Sequence, residues 1–407
     1  MNEPTWIAVL DVGTFKVTAI IAEVNPDGTF QILSIGHAPS HGLKKGVIVN
    51  MDATTHTIDL ALQSASQSAD MEVGEVFVSI AGSHIRGFNS HGTVAIKDQE
   101  VTEGDIARVL ETARAVNIAN DHDILHVLPQ EYIIDGQGDI LENPIGMNGV
   151  RLEVKVHIVT SANSAILNMT RCVQRCGVDV AELVLQPLAS SYAVLTKDEK
   201  ELGVCLLDIG GGTTDIAIFT NGALAYTSII PIAGAQLTND ITTALHTTAA
   251  FAEYLKCNKG ACFMQNIEDE EIEVPIIGEK RSRPSHRKDL VHVIQARMDE
   301  LFNLVHQDIE RSGYLDVIPA GLVITGGSAS LPGITTLANN VFEMPARIGI
   351  PFYQGNHDEL LCQPQFSTAI GLLYYAKDKM LQNGIEREKF SLRRAGKWIK
   401  QWIEENF

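Results

Sequence analysis

Three consecutive glycines set between two apolar runs constrain this chain more than any other stretch. In Asp208-Ile209-Gly210-Gly211-Gly212-Thr213-Thr214-Asp215 a polar turn separates Leu202 to Leu207 from Ile216 to Phe219, and both runs read as short strands. Glycine allows positive φ and removes Cβ, so such a turn can press backbone N–H groups against an anion. A carboxylate at the strand end can hold a metal that the same anion bridges. An ordinary glycine-rich β-turn explains one stretch of this kind equally well. A second copy changes the balance. Near the start, Ile7-Ala8-Val9-Leu10-Asp11-Val12-Gly13-Thr14 leads into Val17 to Ala22, in the same order of apolar strand, Asp-x-Gly turn and apolar strand. Asp11 and Asp208 lie 197 positions apart. One recurrence at that distance points to two similar α/β domains facing each other rather than to a short-period solenoid.

At 407 residues, 45% hydrophobic and 20% charged, the chain has the composition of a soluble protein of two or three domains at roughly 150 residues each. No run of 18 apolar residues occurs, and Met1-Asn2-Glu3-Pro4 has neither a basic n-region nor a long apolar stretch, so the expected compartment is the cytoplasm. The six scattered cysteines, with pairs Cys172/Cys176 and Cys257/Cys262, lack zinc-site spacing and read as reduced, mostly buried thiols. A net charge of −19 argues against nucleic-acid binding by the body. From Arg387 to Lys400, however, six basic residues stand against one acidic, Glu388. An acidic body with a basic tail gives the tail a partner of its own.

Between the two turns the pattern predicts a strand near Gln31 to His37, a helix over 54–68 capped by Asp52, and a strand from Glu75 to Ala81. The 83–160 segment differs in character. It has glycine-rich turns at Gly87 to Gly92 and Gly136 to Gly138, a helix opening on Thr102, and strands at Ile124 to Leu128 and Leu152 to Val159, forming a small α+β insertion. Val154-Lys155-Val156-His157-Ile158 alternates as a half-exposed strand with His157 at the surface. Pro187 suits the first turn of a helix reaching Leu195. Its small residues Ala189, Ser190 and Ala193 match a later small-residue helix at Ser367 to Leu373, and two such helices crossing between domains would form a hinge. Ala320 to Ala329 is a third apolar strand ending in a Gly326-Gly327 turn, and Glu268 to Arg287 reads as an exposed hairpin and loop.

An early Asp-x-Gly-Thr turn, a mid-chain Asp-x-Gly-Gly-Gly-Thr turn and a late strand-Thr-Gly-Gly turn resemble the phosphate-1, phosphate-2 and adenosine motifs of the actin, Hsp70 and sugar-kinase superfold. Within it the chain resembles the FtsA family of actin-like bacterial cell-division proteins over essentially its whole length. The most specific blocks are Gly203 to Ala217, His126-Val-Leu-Pro-Gln-Glu-Tyr132 and Val150 to Val159. The resemblance implies a two-lobed actin-like ATPase fold, a duplicated α/β domain around a nucleotide cleft. Subdomain 1A would comprise 1–82, 161–197 and 365–385; inserted subdomain 1C, 83–160; subdomain 2A, 198–231 and 306–364; subdomain 2B, 232–305; a linker and amphipathic helix, 386–407.

It also implies residue roles. Asp11 and Asp208 would face Mg²⁺ through water, and Gly13, Thr14 and Lys16 would line the β-phosphate of ATP. Gly210, Gly211, Gly212 and Thr213 would give N–H groups to the phosphates, Gly326 and Gly327 would approach the adenosine, and Glu253 and Lys256 would reach the ribose. Gln186 sits where actin orients its attacking water, but Pro187 departs from actin's pattern, which implies weak or no hydrolysis. The implied partners are the FtsZ C-terminal peptide through 232–305, later divisome proteins through 83–160, further copies in filaments, and anionic lipid. The implied place is the cytoplasmic face of the inner membrane at the septum. The rival reading is an ATP-dependent small-molecule kinase of the same superfold, for which Asp215 is the one obvious base in the motifs.

The tail can be read from its residues. On a helix from Lys389 to Ile403, Leu392, Ala395, Trp398, Ile399, Trp402 and Ile403 share one face, while Arg393, Lys397, Lys400 and Gln401 share the other. That is the pattern of a helix lying in a membrane interface, although a helix docked on its own domain has the same moment. Each large apolar side chain contributes roughly 1.5–3 kcal/mol on burial and each basic residue about 1 kcal/mol at an anionic leaflet. Ordering the backbone costs about 1–2 kcal/mol per residue. One chain therefore binds weakly, and polymerisation would supply avidity.

Overall fold

The computed structural model describes residues 5–25, 29–140, 143–265, 267–278, 281–355 and 357–382. The expected membrane-facing residues from Leu392 to Ile403 lie outside these.

Both Asp-x-Gly turns join antiparallel strand pairs, and the same bond closes each. β1 (Thr5–Val12) pairs with β2 (Lys16–Val24), and the Gly13 N–H donates to the Lys16 carbonyl at 3.0 Å. In the second lobe the Gly210 N–H donates to the Thr213 carbonyl, also at 3.0 Å. The duplication read from sequence is therefore a duplication of backbone geometry. β3 (Phe30–Pro39), α1 (Met51–Ala69) and β4 (Glu75–Ile80) follow. The cap of α1 is Asn50, whose side chain accepts from the Ala53 N–H, not Asp52. Asp52 falls inside the first turn, where its charge favours the helix N-terminus.

The insertion follows β4. Its sheet has the order β5 (Ile85–Ala95), β8 (Arg151–Ala162), β6 (His122–Ile134), β7 (Gln137–Ile140), with α2 (Glu103–Arg114) across one face. Gly87 to Gly92, expected as a turn, lies within β5. A Cβ at Gly92 would strike the Val109 carbonyl of α2, so the glycine allows helix and strand backbones to touch. His157, expected at the surface, is 1% exposed. The alternating pattern failed because the second face of β8 is covered by the other lobe.

The chain re-enters the first lobe through α3 (Asn163–Arg175), β9 (Asp179–Leu185) and α4 (Gln186–Val194), completing a sheet of order β9-β4-β1-β2-β3. After the short α5 (Lys197–Leu202) come β10 (Val204–Ile209), β11 (Thr214–Thr220) and β12 (Ala223–Ile230). The helices α6 (Gly234–Leu245) and α7 (Ala249–Lys259), the hairpin β13 (Glu271–Pro275) with β14 (Ser282–His286), and the 26-residue α8 (Arg287–Ser312) form the far end of this lobe. β15 (Leu322–Thr325), α9 (Ile334–Phe342) and β16 (Ala346–Ile348) close the second sheet in the order β12-β11-β10-β15-β16. The last described helix, α10 (Ser367–Gln382), crosses α4 between the two sheets. A Cβ at Gly371 would overlap the Ala189 carbonyl, so the two small-residue helices meet backbone to backbone.

Two buried histidines join these units. His126 Nε2 accepts the Leu185 N–H at 3.1 Å. His157 lies 2.6 Å from Asn89 Oδ1 and 2.9 Å from Thr227 Oγ1, on β12 of the second lobe. Asn89 Oδ1 only accepts, so His157 Nδ1 carries the proton and Nε2 accepts from Thr227. Burial lowers His157 to about 4 and His126 to about 3. A folded-state pKa below the unfolded value contributes stability that is present above about pH 6.5 and is lost as pH falls toward 4. The buried cleft carboxylates titrate with the opposite sign, so the measurement is a comparison of variants. In urea titrations His157→Gln should cost about 1–2 kcal/mol at pH 7.5, and that cost should shrink by about 1–2 kcal/mol at pH 5. An equal cost at both pH values would mean that His157 is not held neutral by the fold.

Candidate functional site

Between the lobes lies a cleft of about 570 Å³ into which both Asp-x-Gly turns project. Of the residues expected to bind nucleotide, Asp11, Gly13, Thr14, Lys16, Gln186, Asp208, Gly210, Gly211, Glu253, Lys256, Gly326 and Gly327 line it. Gly212 and Thr213 do not. Gly212 instead sits under the opposite turn, where a Cβ would stand 2.5 Å from Thr14 Oγ1 and 3.0 Å from the Lys45 Cα, and Gly211 faces Phe15. The two turns touch across the mouth of the cleft, and glycine is what permits the approach.

The electrostatics are those of a site built for charge. Asp11 and Asp208 are each 7% exposed. Burial raises Asp11 to about 6, with Ser79 and Lys16 opposing the rise, and raises Asp208 against the hydrogen bonds of Ser190 and Thr368. Ser79 Oγ donates to Asp11 Oδ1 at 2.7 Å while accepting from the Val12 N–H and from Gln186 Nε2. Lys16 Nζ lies 3.2 Å from the centroid of the Phe366 ring and has no hydrogen-bond partner among the described residues. Burial lowers it to about 8, with Asp11 opposing. A buried ammonium aimed into a cleft with three donors unused fits an anion such as phosphate. The carboxylates opposite fit a hard cation that keeps most of its water.

At the other end Glu253 and Lys256 of α7 form an ion pair of 2.7 Å. Lys256 Nζ also donates to the Gly234 carbonyl and Thr238 Oγ1. The first turn of α6 is tied to the glycine turn, Gly234 N–H to the Gly210 carbonyl and Ala235 N–H to the Gly211 carbonyl, so α6, α7 and the glycine turn form one connected wall. Cys257, exposed here, is the exception to the expectation of buried thiols, and all six cysteines are free. Sequence reasoning missed Ser79, Thr238, Ser328 and the Leu331–Pro332 wall. None of these has a local signature: Ser79 stands behind Asp11, the others line the cleft, and each comes from an element whose own pattern only says core or turn.

Asp215 does not serve as a base. It stands across the strand pair from Asp208, is 2% exposed and does not line the cleft. Burial and the Asp208 charge push it up to about 8, but it is buried outside the cleft lining and does not face a substrate hydroxyl there, so the kinase reading loses its candidate base.

A family model described as "Cell division protein FtsA" matches residues 205–371, and one described as "SHS2 domain inserted in FTSA" matches 82–160. The chain is 47% identical over 410 residues to the cell division protein FtsA of Pseudomonas aeruginosa, covering 98% of each. It is 44% identical over 414 residues to that of Neisseria meningitidis, covering 100% of each. Among solved structures it is similar to a PilM-PilN type IV pilus biogenesis complex, with a TM-score of 0.66, 15% identity and coverage of 91% of this chain and 98% of the other. It is also similar to MreB5 of Spiroplasma citri bound to ADP, with a TM-score of 0.56, 15% identity and coverage of 94% and 98%. A MamK double helical filament gives a TM-score of 0.53, 12% identity and coverage of 91% and 98%.

Gly212→Asp should abolish nucleotide binding, since its side chain would collide with Thr14 and add negative charge beside the glycine turn at the cleft. Calorimetric titration with ATP checks this. Unchanged affinity in a protein of unchanged melting temperature would remove the turn from the binding site.

Proposed function

This chain belongs to the FtsA family of cell-division proteins and has an actin-like fold, and from that premise we propose that it binds ATP with Mg²⁺ in the cleft, polymerises, and anchors FtsZ filaments to the membrane at the division site. The observation that carries the nucleotide reading is the buried Lys16 ammonium, without a hydrogen-bond partner among the described residues, facing a cleft that sets Asp11 and Asp208 against each other between two glycine turns. Lys16 and the turn N–H groups would hold the phosphates, while Asp11 and Asp208 would hold the metal through its waters. Mg²⁺, when bound, would supply the positive charge that offsets the phosphates. Gln186 Nε2 is bonded to Ser79 Oγ at 3.0 Å and lies 3.4 Å from Asp11 Oδ1. A glutamine already engaged in this way is poorly free to orient water, which supports weak hydrolysis.

Self-association is supported by the filament-forming relative of the same fold, MamK. For the FtsZ peptide, a shallow groove between α6 and α8, lined by Ala244, His292, Val293 and Ala296, offers apolar surface beside the Asp240–Arg297 ion pair. For later divisome proteins, the insertion exposes Ile145, Met147 and Val150. For the membrane, the Trp398, Ile399, Trp402 and Ile403 face under a Lys/Arg face supports peripheral anchoring at the cytoplasmic leaflet, and no described helix is long and apolar enough to cross a membrane.

Co-flotation with anionic vesicles tests the assembly. The full chain should float, more strongly with ATP and Mg²⁺, whereas truncation after Lys389 or Trp402→Glu should leave it at the bottom with nucleotide affinity intact. Flotation that survives either change would move the membrane contact off the tail.

A further inference from the structure

Asp208 belongs by its strand to the second lobe, yet the groups that hold its carboxylate come from the two helices of the hinge. Ser190 Oγ of α4 donates to Asp208 Oδ2 at 2.6 Å. Thr368 Oγ1, in the first turn of α10, lies 2.9 Å from Ser190 Oγ and 3.3 Å from the same carboxylate oxygen. Each hydroxyl has one proton. The shorter distances make a relay in which Thr368 donates to Ser190 and Ser190 donates to Asp208. The other oxygen, Oδ1, rests against Gly326, where a Cβ would stand 2.5 Å away. Asp11 is held chiefly by Ser79 of its own lobe's β4, at 2.7 Å, with Gln186 at the start of α4 farther off at 3.4 Å.

A helix serine commonly donates its proton back to its own turn, as the neighbouring Ser191 does to the Leu188 carbonyl at 2.7 Å. Ser190, fully buried, reaches across to the carboxylate instead. Ser190 and Thr368 lie beside the Ala189–Gly371 contact, where the two helices between the lobes meet backbone to backbone. A rotation there changes an O–H···O distance steeply while leaving the strand of Asp208 in place. We infer that Ser190 and Thr368 are a positioning pair that sets the Asp208 carboxylate for the bound metal, so that the geometry of the metal site and the angle between the lobes are one variable. The inference rests on the reading of Asp208 as a metal-facing group.

ATP affinity of the full chain, measured by calorimetry in Mg²⁺ and again in EDTA, separates the two. For the wild type, affinity should be higher in Mg²⁺. Ser190→Ala and Thr368→Val should each cut that Mg²⁺-dependent gain about tenfold, with affinity in EDTA within about twofold of wild type on the same reasoning. Thr368→Ser, which restores the hydroxyl, should restore the gain. Thr368→Val keeps the shape of the side chain, so the test stands even where Ser190→Ala lowers the melting temperature. Equal losses in Mg²⁺ and EDTA, or no loss, would overturn the pair while leaving Asp208 in place. A wild-type affinity indifferent to Mg²⁺ would overturn the metal reading of Asp208 itself.

Discussion

The contact between Gly371 and the Ala189 carbonyl is the one on which the rest of the arrangement depends. Two sheets, each with a strand–turn–strand unit aimed at the other, can bring their turns together only if what separates them is thin. A helix pair meeting backbone to backbone is the thinnest spacer that helices allow. Any side chain at 371 would push α10 from α4, and the shift would be felt where Thr368 and Ser190 meet. Because interiors are close-packed and stiff, a displacement at the crossing is passed on rather than absorbed.

That geometry makes the cleft electrostatically costly. Asp11 and Asp208 are both buried, and for each burial is the largest influence, pushing the carboxyl upward. Lys16 is pushed the other way for the same reason. A fold selected for stability alone would replace these groups with apolar ones. Their retention in a cavity, with hydroxyls and glycine backbones arranged round them, is the mark of a site where charge is completed by something that binds.

The insertion shows why part of this was legible and part was not. The duplicated turns could be read because their chemistry is local: an aspartate, a glycine and flanking apolar runs within a dozen residues. The small-residue helices could be read for the same reason. His157 could not. Its strand alternates, and alternation signals one wet face only when nothing distant covers that face. Here β12 does, and His157 is bonded to Thr227, seventy positions away. Asn89 and Gln130 extend the same contact by donating to the Ala225 and Leu224 carbonyls along β12. The site hydroxyls Ser79, Ser190 and Thr368 escaped for a related reason, since a small polar residue in an apolar helix or strand carries no mark of what it faces.

β12 is the edge strand of the second sheet, and an edge presents unpaired carbonyls that invite other strands. Side-chain amides of the insertion occupy two of those carbonyls, and the His157–Thr227 bond seals the centre of the contact. The insertion is thus joined to the first lobe through the chain at β4 and α3, the His126–Leu185 bond and packing at Ile85 and Val159, and to the second lobe chiefly through polar side chains. Polar bonds are the appropriate kind of joint here. The apolar seam between the sheets is supplied by α4 and α10, and at the insertion a few hydrogen bonds, each worth about 1 kcal/mol net, add orientation without a second such seam.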